Sequence, residues 1–152
     1  MKIVEPKIEV LLDKLTIAAE LYRKASDRVH NDMMQEQFQL QAERKETYIT
    51  QLAHHLNLNL EDHQLGTADR LKLRLEKLGI EIDHVYLRQN AKEVLSFCLN
   101  REEELIAAYR GVIQNGEYDN HVKLTLKSQM DDSVRLKDES MVLHGEYDFQ
   151  DA

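Results

Sequence analysis

The segment "LNREEELIAAYRG", residues 99–111, sets three successive carboxylates against an apolar run. Read at helical spacing, Leu95, Cys98, Leu99, Leu105, Ile106, Tyr109, Val112 and Ile113 form one stripe, and Glu102 falls inside it. A carboxylate withdrawn from water must be hydrogen-bonded, paired with a cation, protonated or bound to a metal ion. Glu103 and Glu104 fall outside the stripe and read as solvated neighbours.

Other reactive groups are few. Cys98 is the single cysteine and lies mid-stripe, where a thiol is inert and no internal disulfide can form. There is no Gly-rich phosphate loop, no Cys-x-x-Cys and no nucleophile constellation. An isolated carboxylate is a weak basis for acid–base catalysis. Of the seven histidines, His54 and His55 fall near the end of a helix. His30, His63, His84, His121 and His144 fall near loops or helix ends. The sequence therefore leans away from an enzyme.

The elements that must position these groups are long helices. The only proline is Pro6, and the five glycines, the first at Gly66, come late and far apart. Ile8, Leu11, Leu12, Leu15, Ala18, Ala19, Tyr22, Ala25 and Val29 repeat at three and four, which predicts a helix over about 6–30. Met34, Phe38, Ala42, Ile49, Leu52 and Leu56 predict a second over 32–57. A third spans 84–115, or begins at 91, and is ended by Gly116. The fourth, 118–143, carries Val122, Leu126, Met130, Ser133, Leu136, Ser140 and Leu143, with a frayed tail at 145–152.

The link 58–83 is ambiguous. Leu71, Leu75 and Leu78 fit one face of a short helix, whereas "LKLRL" and "IEI" alternate as a hairpin around Gly79 would. Either way it is a long crossover. Short loops within each pair and a long link between pairs predict an all-α fold, a four-helix bundle of two antiparallel pairs with one crossover. The halves also look alike: "IAAELYRKA" (17–25) and "ELIAAYRGV" (104–112) align Tyr22 with Tyr109.

With 152 residues, 42% hydrophobic and 32% charged, the chain reads as one soluble globular domain. The net charge of -8 argues against nucleic acid as a partner. No run of about 18 apolar residues is present for a membrane span, and the charged N-terminus is unlike an export signal. Cytoplasmic location is the expectation.

This layout resembles the ferritin-like superfamily, and most closely its small bacterial families of unknown function. The resemblance covers nearly the whole chain as architecture. It implies a glutamate seven residues before a tyrosine on the first and third helices and Glu-x-x-His on the second and fourth, around two iron ions. Glu102 and Tyr109 match the third-helix pattern, but Leu15 stands seven before Tyr22, and leucine binds no metal. The second helix offers Glu43-x-x-Glu46 and the fourth Gln129-x-x-Asp132, both without the histidine.

The resemblance therefore implies a degenerate di-iron site. Glu102 is expected in a polar middle layer with Tyr109, Gln129, Ser133 and Gln41 or Lys45, in a non-catalytic bundle needing no cofactor. Such a bundle would act as a homodimer or with a protein partner. The rival expectation is a protein of iron storage or oxidative-stress defence, binding iron or another divalent metal through Glu43, Glu46, Glu102, Gln129 and Asp132.

Overall fold

A computed structural model describes residues 6–29, 32–58 and 91–150; for 91–95, 97, 115 and 140–150 the backbone alone is described. Four helices account for nearly all of it: α1 (Pro6–Arg28), α2 (Asp32–His55), α3 (Ala91–Asn115) and α4 (Asn120–Gln150). No strand occurs among the described residues. The helix-or-hairpin question at 67–83 lies outside them, as does most of the 58–83 crossover and the 84–90 start of the expected third helix.

Local chemistry sets the helix ends. Pro6 opens α1, where its missing N–H belongs to the unpaired first turn. Between α1 and α2, Ser26 Oγ donates to the Gln35 carbonyl at 3.2 Å and Gln35 Nε2 returns a bond to the Ser26 carbonyl at 3.2 Å. These two bonds close the short loop. Asn57 adopts a left-handed φ of 52°, the Leu58 N–H reaches the Ala53 carbonyl at 2.8 Å and the Asn57 N–H the His54 carbonyl at 3.3 Å. That pair of bonds is a Schellman cap, with asparagine in the place glycine usually takes. Consequently α2 stops at His55, two residues before the expected end.

After α3, a Cβ at Gly116 would overlap the Tyr118 ring, so a side chain here would force that ring to move. The fourth helix departs furthest from expectation. It begins at Asn120 rather than 118 and continues through Gly145 to Gln150, where a stop at 143 and a frayed tail were expected. A glycine inside a helix costs about 1 kcal/mol relative to alanine but ends it only by turning left-handed. No described glycine has a positive φ.

Two apolar clusters make up the core. One joins Ile8, Leu11, Leu12 and Leu15 of α1 to Tyr48 and Leu52 of α2, Leu105, Tyr109 and Val112 of α3, and Val122 and Leu126 of α4. The other joins Leu21, Tyr22 and Ala25 to Phe38, Ala42 and Cys98, with Leu136 against them. The first half of α1 thus packs with the second halves of α2 and α3 and the first half of α4. The contacts are extensive for α1–α2, α3–α4 and α1–α3 and sparser for α2–α4.

Candidate functional site

Between the two apolar clusters, Glu102 is buried with a complete set of protein partners. Tyr22 Oη on α1 donates to its Oε1 at 2.6 Å. Lys45 Nζ on α2 lies 2.9 Å from Oε1 and 3.1 Å from Oε2. The Lys45 and Glu102 side chains are only 2% and 1% exposed. Three helices thus contribute one group each to a buried, hydrogen-bonded ion pair. The ammonium also lies 6.0 Å from the Tyr22 ring centroid and 5.8 Å from that of Tyr48, at the edge of cation–π range.

A second network lies toward the first apolar cluster. Tyr109 Oη donates to Gln129 Oε1 at 2.8 Å. Gln129 Nε2 donates to the Tyr48 carbonyl at 3.3 Å and to Gln51 Oε1 at 3.1 Å. Tyr48 Oη donates to Asp132, which also pairs with Arg135. Ser133 Oγ is fully buried and, among the described residues, has no hydrogen-bond partner.

Burial sets the protonation of these groups. It pushes the Tyr22 hydroxyl well above the ordinary tyrosine range, with the Glu102 charge and then Cys98 adding to the effect. Tyr109 and Tyr48 are raised too, by burial first, followed by the Tyr48 neighbour for Tyr109 and the hydrogen bond to Asp132 for Tyr48. The Cys98 thiol is pushed up to about 12 by burial and then by Glu102, with Arg101 opposing. These groups stay protonated at neutral pH, so Cys98 is no nucleophile.

The proposed metal ligands scatter. Glu43 is exposed on α2. Glu46 accepts from Arg23 Nε at 2.9 Å on the outside of α1 and α2. Gln129 and Asp132 belong to the second network, and Glu102 to the first. Among the described residues, no three His, Cys, Asp or Glu side chains gather as a metal site. The flanking acids point outward: Glu103 pairs with Lys137 at 3.4 Å, and Glu104 with Lys14 at 3.7 Å and Arg101 at 3.4 Å.

Lys45, rather than Gln41, completes the Glu102 layer. Its place was visible in the α2 stripe: Phe38 and Ala42 on one side and Ile49 and Leu52 on the other leave an inward gap that position 45 fills. Two partnerships had no local signal, Tyr22 with Glu102 and Tyr48 with Asp132, because each joins helices distant in sequence.

Compared with known protein families, curated proteins and solved structures, the chain shows no match in any of the three.

Proposed function

We propose that the chain is a ferritin-like bundle whose central metal position is closed by protein groups. It acts in the cytoplasm through its outer faces, as a homodimer or with a protein partner. The observation that carries this reading is the Lys45 ammonium held by both oxygens of Glu102. A metal ion would need those lone pairs, and a buried cation already occupies the space in front of them. Tyr22 uses one of the remaining acceptor positions.

The arrangement of helix halves supports a ferritin-like connection. The end of α2 packs in one cluster and Cys98, near the start of α3, in the other. The end of α2 and the start of α3 thus lie toward opposite ends of the bundle, about 36 Å apart for a 24-residue helix. Among the described residues, no helix is long and apolar enough to cross a membrane.

The apolar side chain of Leu124, 69% exposed on α4, is available for contacts with another molecule. Sedimentation equilibrium over a wide concentration range tests the association. A reversible dimer is expected, and a clean monomer at high concentration would oppose self-association. Iron retained stoichiometrically at Glu102 would instead favour the storage or oxidative-defence reading.

A further inference from the structure

Three imidazoles gather at one end of the bundle, away from the central layer. His54 and His55 are the last two residues of α2, and His121 is the second residue of α4. The His55 and His121 ring centroids are 5.2 Å apart with planes inclined at 56°, and His54 lies 5.7 Å from His55. His54 and His121 are exposed and His55 half-buried, so water reaches all three.

The backbones beneath these rings are fixed. The Schellman cap that ends α2 takes its bonds from the Ala53 and His54 carbonyls, immediately before His55. In the first turn of α4, the Lys123 N–H reaches the Asp119 carbonyl at 3.0 Å and Thr125 Oγ1 donates to the His121 carbonyl at 2.9 Å. The two rings therefore stand on hydrogen-bonded helix ends rather than on loose loops.

We propose that His55 and His121 form a two-imidazole clamp for a borderline divalent transition-metal ion (zinc, nickel or copper(II)) between the end of α2 and the start of α4. Imidazole is the ligand these ions favour at neutral pH. Two rings bound through nitrogens about 2.0–2.1 Å from one ion have centroids roughly 5–6 Å apart. The observed separation of 5.2 Å falls within that range. Among the described residues, no third His, Cys, Asp or Glu joins them.

The location gives the clamp a consequence. Helices α2 and α4 pack less closely than the α1–α2, α3–α4 and α1–α3 pairs, so an ion held by both adds a tie between the two halves where packing is sparse. An ion that binds only the folded chain stabilises it by mass action. The clamp is independent of the Glu102 layer and stands whether or not the reading of that layer holds.

Calorimetric titration of the full chain with zinc chloride and nickel chloride, paired with thermal melts, tests the clamp. One ion per chain is expected. Tm should rise by about 5–10 °C when the free ion is in roughly hundredfold excess over Kd. Both effects should vanish in His55→Asn and in His121→Asn, and persist in His54→Asn and Glu102→Gln. Circular dichroism of each variant verifies that the helices are intact. Absence of binding up to millimolar ion, binding that survives either clamp substitution, or loss in His54→Asn would each overturn the assignment.

Discussion

At the scale of single residues, the Lys45–Glu102 pair governs the centre. Removing one member of a buried ion pair strands the other charge, whereas replacing both by apolar groups is often neutral or better. Glu102→Gln should therefore destabilise the fold by about 3–5 kcal/mol in urea denaturation, and Lys45→Met by a similar amount. The double variant Glu102→Leu with Lys45→Met should recover most of that loss. Additive losses would show that the pair is not coupled. Ser133 gives the opposite expectation: its buried hydroxyl lacks a partner, so Ser133→Ala should be neutral or slightly stabilising. A loss above about 2 kcal/mol would reveal a partner that the hydroxyl does have.

The raised groups also fix an alkaline limit. Cys98 is raised from 9.0 to about 12, and Tyr22 well above 10.0, so the folded chain holds protons that the unfolded chain releases. Their contribution is complete below pH 9 and declines as pH rises toward 12. Denaturation midpoints should fall through that window, and Cys98→Val should flatten the fall. Stability unchanged between pH 9 and 11 would contradict the burial of both groups.

At the scale of the helices, α1 is the hub of the packing. Leu15 is fully buried where the resemblance would place a glutamate, so Leu15→Ala should cost about 2–5 kcal/mol. A loss within error would mean that α1 is rotated. Gly111 lies within α3, and a Cβ there meets no atom within 4 Å. Gly111→Ala should raise stability by up to about 1 kcal/mol, read from the same denaturation curves.

The helices were legible because apolar spacing at three and four persists over six turns in α1 and α2. Their ends were less so, since Asn57 capped where a glycine would have been the plainer signal, and Gly145 did not stop α4. In the central layer, the inward turn of Glu102 followed from its own helix. Its bond to Tyr22 arises only when α1 and α3 pack side by side.

Across the whole molecule, the two halves repeat beyond Tyr22 and Tyr109. Phe38, Gln41 and Lys45 on α2 match Leu126, Gln129 and Ser133 on α4 in spacing and burial. The halves differ where the charge lies. The second half supplies Glu102 and the first supplies Lys45, while their counterpart positions hold the neutral Leu15 and Ser133. The unsatisfied Ser133 hydroxyl fits that asymmetry, since the position matching Glu102 on the first helix is a leucine. Self-association should respond to salt, because two chains of net charge -8 repel and screening weakens that repulsion.

The claim that protein groups close the centre meets its most direct test in thermal melts with added Fe(II). The chain carrying His55→Asn should be compared with the same chain also carrying Glu102→Gln, so that the bundle end contributes nothing. The account predicts that iron leaves both melting temperatures unchanged, with the Glu102→Gln chain lower at every iron concentration. An iron-dependent rise that Glu102→Gln abolishes would show that Glu102 is a working metal ligand and that Lys45 gives way to the ion.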